Sequence, residues 1–353
     1  MTFALDGTPL TEPTGGVARY TWELARSLAE QFPGEQYWLL SDQTFAMPVD
    51  RPSNLHSGTR PNSAIDKRWW LWGLQHEIQR HGVQLFHGTD FSVPYVPRGR
   101  PSVMTVHDLS PWLNEEWNHA SSRVRSRTPR LLQFSLARTI ITPSQAIRSA
   151  AIEHFQLAPE NVVAVPLAAR ELFRPVETEP VEVPYFLFVG TLEARKNIAR
   201  LIEAWRRVRH QTPVELWLVG RVRDGIALPE YEGLRYLHSV DDAELPALYS
   251  GATAFVYPSL YEGFGLPVLE AMQCGCPVIT SQDPAITEVS GDAAIHIDAM
   301  DVAALADAMT TILHNPNQRS TQRAAGLKRA TQFSWRETAR QTREVYEAAL
   351  SRH

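Results

Sequence analysis

The chain has 353 residues, enough for two core-bearing domains of ordinary size. Its 44% hydrophobic and 21% charged residues are the composition of a soluble globular protein. With 34 basic against 39 acidic residues, a formal net charge of -5 argues against nucleic acid as the main partner.

Apolar runs alternate with helical patterns along the whole chain. In the first half, strands are predicted at Phe3–Gly7, Tyr37–Ser41, Leu85–Gly88, Ser102–His107, Thr139–Pro143 and Val162–Pro166. Helices fall between them at Val17–Gln31, Ile65–His81, Ser121–Arg138 and Ser144–Phe155, the last opening on a serine, a favoured N-cap. In the second half, Tyr185–Gly190, Glu215–Gly220, Leu234–Leu237, Ala254–Ser259, Pro277–Ser281 and Ala294–Ile297 read as strands. The helices there are Ile198–His210, Asp242–Gly251, Leu266–Cys274, Val302–His314 and Asn317–Gln332. Strands that are apolar throughout, with helices between, indicate parallel sheets covered on both faces. The spacing therefore predicts an α/β protein of two doubly wound domains, residues 1–173 and 185–334. The Pro- and Glu-rich stretch Arg174–Pro184 would link them, and a last helix, 335–353, would pack back on the first domain.

Cys274 and Cys276 are too close in sequence to bridge and lack nearby histidines, so buried, inert thiols are expected. The N-terminus has no basic n-region or long apolar run, and no segment is apolar over a bilayer's width. These features predict a cytoplasmic protein.

Glu262-Gly263-Phe264-Gly265-Leu266-Pro267-Val268-Leu269-Glu270 follows the strand Ala254–Ser259. Gly263 and Gly265 let the backbone approach a ligand, and Pro267 suits a first helical turn. A glycine loop feeding a helix N-terminus suits an anion or sugar hydroxyls, and the two carboxylates that bracket it accept hydrogen bonds from hydroxyl pairs. Taken alone, this pattern is equally a routine strand-to-helix turn with solvated glutamates. Arg195-Lys196, in the loop after Tyr185–Gly190, suits a diphosphate. Asp241-Asp242 are adjacent and point apart, so no Asp-x-Asp metal motif is present. Gly15-Gly16 opens the helix at Val17, but Gly-x-Gly-x-x-Gly is absent there, against a nicotinamide enzyme. His107-Asp108 ends the strand at Ser102.

The segment Glu262–Glu270 resembles the glutamate–seven residues–glutamate motif of glycosyltransferase family 4. Gly190-Thr191-Leu192-Glu193-Ala194-Arg195-Lys196-Asn197 is similar to that family's phosphate-binding turn, and Ser239-Val240-Asp241-Asp242 to its nucleoside-side loop. Thr14-Gly15-Gly16 and Val106-His107-Asp108 are similar to its first-domain landmarks. The resemblance implies the GT-B fold and a retaining transferase that moves a hexose from a nucleoside diphosphate sugar to a glycan, lipid-linked or small-molecule hydroxyl. GDP-mannose is preferred over UDP-sugars, and a same-fold sugar phosphorylase or epimerase is the alternative. Glu262, His107, Arg195 and Lys196 would be catalytic. Gly15, Gly16, Gly190, Val240, Gly263, Phe264, Gly265, Leu266 and Glu270 would bind the donor with Arg195, Lys196 and Glu262. Asp108 would lie on the acceptor side.

Neither a resident cofactor nor a metal is required, because Arg195 and Lys196 carry the electrostatic work. Alanine at Glu262, Arg195 or Lys196 would then abolish transfer and leave the fold intact. Phe333-Ser334-Trp335 resembles the family's crossover back to the first domain. Trp69-Trp70-Leu71-Trp72 and the arginines 123, 125, 127, 130 and 138 read in two ways. One is peripheral contact with the inner membrane face, or with a lipid-diphosphate acceptor; the other is a packed tryptophan cluster beside a solvated helix.

Overall fold

The computed structural model describes residues 1–353 except 13–14, 62, 97–98, 115–116, 118–121, 224–227, 239 and 353, and except the Arg123 side chain. Of the residues named above, Thr14, Ser121, Ser239 and that side chain therefore lie outside the described ones. The chain divides into two compact units, Met1–Leu167 with Ser334–His353, and Ala168–Phe333.

The first unit contains strands β1 (Thr2–Asp6), β2 (Gln36–Leu40), β3 (Leu55–Ser57), β4 (Leu85–Gly88), β5 (Ser102–Thr105), β6 (Thr139–Thr142) and β7 (Val162–Ala164). They form one sheet in the order β3-β2-β1-β4-β5-β6-β7, and every pairing is parallel. Its helices are α1 (Gly16–Gln31), α2 (Leu74–Arg80), α3 (Ser110–Leu113), α4 (Ser122–Gln133) and α5 (Gln145–Phe155). Every residue of β4, β5 and β6 is buried, which is why these strands read as unbroken apolar runs rather than alternating ones. On α1, Tyr20, Leu24 and Leu28 recur every four residues and are fully buried, so one stripe of the helix faces the sheet. Ser144 caps α5 by accepting a hydrogen bond from the Ile147 amide at 3.2 Å.

The second unit repeats the plan with β8 (Tyr185–Val189), β9 (Glu215–Val219), β10 (Leu234–Leu237), β11 (Ala254–Tyr257), β12 (Val278–Ser281) and β13 (Ile295–Ile297). The order is β10-β9-β8-β11-β12-β13, again parallel throughout. Its helices are α6 (Ile198–Arg209), α7 (Leu245–Gly251), α8 (Leu266–Gln273), α9 (Pro284–Ser290), α10 (Val302–His314) and α11 (Pro316–Ala330). Residues 168–173, grouped above with the first domain, pack here instead. The Arg170 carbonyl accepts from Gln273 Nε2 at 3.0 Å, and its guanidinium pairs with Asp242 at 2.7 Å. Phe173 packs edge-on against Tyr249. Cys274 and Cys276 are free and buried, and burial pushes the Cys274 thiol up to about 12.

The chain then returns to the first unit as α12 (Trp335–Ser351), capped by Ser334, whose hydroxyl accepts from the Glu337 amide. Tyr346 from this helix is fully buried, with its hydroxyl 2.7 Å from Nδ1 of His87 on β4. Burial lowers His87 to about 3, so the imidazole is neutral and links hydroxyls, with Thr105 on its other nitrogen at 2.8 Å. Arg343 adds an ion pair to Glu35 at 2.6 Å.

Several segments depart from the predicted pattern, since α3, α9 and β3 match no predicted element and one predicted helix is broken. Strand β3 has only three residues and lies at the sheet edge, below the length at which alternation is readable. The predicted helix at Ile65–His81 resolves into a wide π turn, Trp69–Gly73, followed by α2. This turn brings Trp69 into a core cluster with Ala4, Leu40, Leu74, Ile78 and Phe86, while Trp70 packs at its margin. Leu71 and Trp72 remain exposed. The aromatic run thus splits, and its first residue is core. Trp69→Ala is expected to cost about 3–5 kcal/mol in chemical denaturation, against less than about 1 kcal/mol for Trp72→Ala. Equal losses would show that the run works as a unit.

Candidate functional site

In each sheet the strand order reverses once, between β1 and β4 and between β8 and β11. Ligands of open parallel sheets bind beyond the carboxyl ends of the strands at such reversals. The loop Gly190–Asn197 leaves β8 and the loop Pro258–Gly265 leaves β11, so topology alone brings these two segments together. They are joined by a hydrogen bond from the Leu260 amide to the Arg195 carbonyl at 2.9 Å.

Asn197 fixes the first loop. Its backbone is left-handed, with φ of 61°, and its amide donates to the carbonyls of Pro258 and Ala299. Lys196 lies just before it and is buried, donating to Tyr257 Oη at 2.6 Å and to Glu262 Oε1. Ser259 Oγ also donates to Glu262 Oε1, at 2.6 Å. The Arg195 guanidinium reaches Glu262 Oε2 at 3.1 Å, the Tyr261 carbonyl at 2.7 Å and Glu193 at 2.8 Å. Arg223, beyond β9, pairs with the other oxygen of Glu193. Three cations and two carboxylates thus form one cluster.

Burial opposes the charge on Glu262, but Lys196, Arg195 and the hydrogen bonds from Lys196 and Ser259 more than reverse this, and the carboxyl falls to about 2. Burial and the neighbouring Arg195 push Lys196 down while Glu262 holds it up, and the net direction is down. Asp283 supports the same loop. One of its oxygens caps α9 through the amides of Ala285 and Ile286, and the other accepts from the Glu262 amide at 3.3 Å. Burial raises the Asp283 carboxyl to about 6.

Glycine is required where this loop enters α8. Gly265 is the residue preceding the helix and has φ of 96°, which only glycine adopts without strain. A Cβ on Gly220 would stand 2.2 Å from the Gly190 carbonyl oxygen, so the turns after β8 and β9 touch through glycine. Within α8, buried Glu270 accepts from Tyr249 Oη at 3.2 Å. Burial, then the adjacent carboxylate, holds the phenol well above its ordinary value, so it stays a donor. Phe264 is buried edge-on against Phe333, and half-buried Val240 lies in the loop before α7.

The remaining predicted site residues belong to the first unit. His107 Nε2 donates to the Thr89 carbonyl at 2.7 Å, because a carbonyl can only accept. The rings of Tyr20 and Phe91 meet this imidazole edge-on, at 4.9 and 6.0 Å between centroids. The Asp108 carboxylate accepts from the Ser110 amide at 2.9 Å and its hydroxyl at 2.7 Å, and so holds the first residue of α3. Gly15 and Gly16 precede and open α1, and a Cβ on either would meet no described atom within 4 Å. Packing therefore does not call for glycine there. At the end of β1, burial pushes the Asp6 carboxyl up to about 7.

Comparison with known proteins decides the family. A profile described as Glycosyltransferase Family 4 matches residues 14–171, and one described as Glycosyl transferases group 1 matches residues 169–329. The O-antigen chain mannosyltransferase B of Escherichia coli is 31% identical over 96% of this chain and 97% of that protein. The chain belongs to glycosyltransferase family 4. The MMP alpha-(1->4)-mannosyltransferase of Mycolicibacterium hassiacum is 33% identical over 63% of this chain and 57% of that protein. Among solved structures, the sucrose-phosphate synthase of Thermosynechococcus elongatus superposes with a TM-score of 0.79 at 21% identity, covering both chains fully. This glycosyltransferase accordingly has the GT-B fold of two Rossmann-like parallel-sheet domains.

Of the residues singled out in the sequence, the fold brings Arg195, Lys196 and Glu262 into direct contact and sets Glu270 further along the same helix entry. Glu193, Arg223, Tyr257, Ser259 and Asp283 complete the cluster and escaped sequence reasoning. Only Asp283 carried a readable signal, an aspartate before Pro284, which marks a helix start.

The buried pairing revises what alanine at Lys196 does to the fold. Removing one partner of a buried pair leaves the other charge uncompensated, so Lys196→Ala is expected to lose about 3–5 kcal/mol of stability in urea unfolding. Adding Glu262→Gln should restore at least about 1 kcal/mol of it. A fully stable single variant would show that the pair is not formed. The stabilisation of the Glu262 carboxylate is fully present above its ordinary value of 4.5 and fades as pH falls toward 2.

Proposed function

We propose that this glycosyltransferase is a retaining, metal-independent hexosyltransferase, with GDP-mannose as donor and a glycan or lipid-linked hydroxyl as acceptor. The observation that carries this reading is the cationic cluster at the β8/β11 reversal, beside a glycine-opened helix start. Fixed guanidinium and ammonium groups in a dry site stabilise the charge that grows on a leaving nucleoside diphosphate. They do so without a divalent ion. The mannose preference is supported by the mannosyltransferase of Escherichia coli, which this chain matches over nearly its full length.

In this reading Glu270 takes the ribose hydroxyls. Glu262, with the backbone of Gly263–Leu266, takes the sugar. Gly190, Val240 and the Gly15-Gly16 loop border the donor. His107 positions the transferred hexose, and Asp108 lies on the acceptor side. A carboxylate held at about 2 by two cations and a serine is a weak nucleophile and a weak base. The electrostatics of Glu262 therefore support same-face transfer, in which the departing phosphate oxygen takes the acceptor proton and no glycosyl-enzyme bond forms. The bond from the anomeric carbon to phosphate breaks, and the acceptor oxygen bonds to that carbon on the same face.

Melting curves with GDP-, UDP-, dTDP- and ADP-sugars test the donor, since a ligand of the native state raises Tm. GDP-mannose should give the largest shift, and a product retaining the donor's anomeric configuration should form at the same rate in chelator. A larger shift with a UDP-sugar would reassign the base, and turnover with inorganic phosphate in place of an acceptor would make the protein a phosphorylase. The cluster also makes a signed prediction. Glu262 occupies the cations that a diphosphate needs, so Glu262→Gln should bind the bare nucleoside diphosphate about 3- to 10-fold more tightly. Its transfer rate should fall at least about 100-fold. Weaker diphosphate binding in that variant would mean that Glu262 orients the cations instead of competing for them.

A further inference from the structure

Strand β4 is buried over its whole length, yet it carries a histidine, His87. Burial strips the imidazole of its charge, and a neutral ring has one N–H to donate and one nitrogen that accepts. Both nitrogens meet hydroxyls, Nδ1 at 2.7 Å from Tyr346 Oη and Nε2 at 2.8 Å from Thr105 Oγ1. Thr105 Oγ1 in turn lies 2.8 Å from Tyr20 Oη. The four side chains come from α12, β4, β5 and α1, and none is more than 1% exposed. Burial keeps both phenols protonated, so Tyr346–His87–Thr105–Tyr20 is a neutral hydrogen-bonded chain across four elements. Such a chain holds its members rigidly, since displacing one leaves a buried polar group without a partner.

The chain ends beside His107. The Tyr20 ring meets that imidazole edge-on, at 85° and 4.9 Å between centroids. Thr105 also anchors the second ring against it. Its carbonyl accepts from the Phe91 amide at 3.2 Å, and Phe91 stands edge-on to His107 at 6.0 Å. Phe91 has a left-handed φ of 52°, which a bulky side chain rarely adopts. Backbone of this kind persists only where its surroundings enforce it, and such places cluster at functional sites. Helix α12 also reaches Tyr20 a second time, through the Trp335 ring at 6.4 Å.

We propose that Tyr346 and Tyr20 are positioning residues for the transfer reaction, through which α12 sets the imidazole of His107. This rests on the reading that His107 positions the transferred hexose. Removing the Tyr346 hydroxyl leaves a buried nitrogen of His87 without its partner. The imidazole then re-seats, Thr105 and Tyr20 follow, and the ring face against His107 turns.

Kinetics and spectra together test this, using whichever nucleotide sugar the enzyme turns over. Tyr346→Phe and Tyr20→Phe should each lower kcat about 10-fold, with donor KM within about twofold of the parent. The double variant should lose about as much as either single one, because both break the same chain. Glu35→Gln weakens the ion pair that Arg343 makes from another part of α12, so it should lower Tm and leave kcat unchanged. In proton–nitrogen correlation spectra of the imidazoles, the His107 signal is identified by its loss in His107→Ala. That signal should move in Tyr346→Phe and stay in place in Glu35→Gln. Parent-like kcat in Tyr346→Phe with an unmoved His107 signal would overturn the proposal, as would an equal kcat loss in Glu35→Gln. Full transfer by His107→Ala would overturn the underlying reading of His107 as well, whereas lost transfer there beside parent-like Tyr346→Phe confines the failure to this proposal.

Discussion

Everything at the second unit's site depends on a buried ion pair, Lys196 with Glu262, in a place where neither charge is tolerated alone. Both side chains lie below the surface, and desolvation works against each. What compensates is geometry. Tyr257 and Ser259 supply hydrogen bonds from the end of β11 and the loop beyond it, and Arg195 closes the other oxygen of Glu262. The loops after β8 and β11 can meet only because the sheet reverses its order between those two strands. Asn197 then fixes the end of the first loop through carbonyls, and Asp283 holds the middle of the second through the Glu262 amide. Topology brings the charges together, and the polar neighbours make their burial affordable.

Much of the fold was legible in the sequence, for a reason the structure makes plain. Strands covered on both faces cannot alternate, so Tyr185–Val189 and Leu85–Gly88 stand out as apolar blocks between amphipathic helices. Legibility failed where segments were short or where tertiary packing overrode local pattern. Leu55–Ser57 is a three-residue edge strand, and α9 is seven residues long. The π turn at Trp69 follows from where that indole packs, and helical periodicity carries no trace of it.

The site was legible to a different extent. Arg195, Lys196, Glu262 and Glu270 lie in patterned segments, and the pattern pointed to a donor site. It gave no hint that Glu262 and Lys196 touch, because residues 66 positions apart meet only through the strand order. Glu193, Tyr257 and Ser259 are single polar residues with no spacing to mark them. Their contacts follow from how the loops after β8 and β11 are brought together. His107 and Asp108 show the converse. They are adjacent in sequence, yet one donates to the Thr89 carbonyl while the other accepts from Ser110 at the start of α3, so adjacency did not give them shared partners.

The same pairing bears on how donor recognition is staged. In this arrangement the carboxylate of Glu262 already satisfies the cations that a diphosphate would engage, and the cluster carries an excess of one positive charge, three cations against Glu193 and Glu262. In the proposed reading, a diphosphate entering the site would compete with that carboxylate for Arg195 and Lys196. Once engaged by it, they would release Glu262 to accept hydrogen bonds from hydroxyl groups. Phosphate engagement and sugar recognition would then be sequential uses of one set of atoms, while the Lys196–Glu262 pairing leaves no uncompensated charge in a dry interior. A solvated pair of surface cations would bind phosphate with less competition, but it would impose no such order. A buried exchange of this kind would tie the sugar's hydroxyls to the prior arrival of the leaving group.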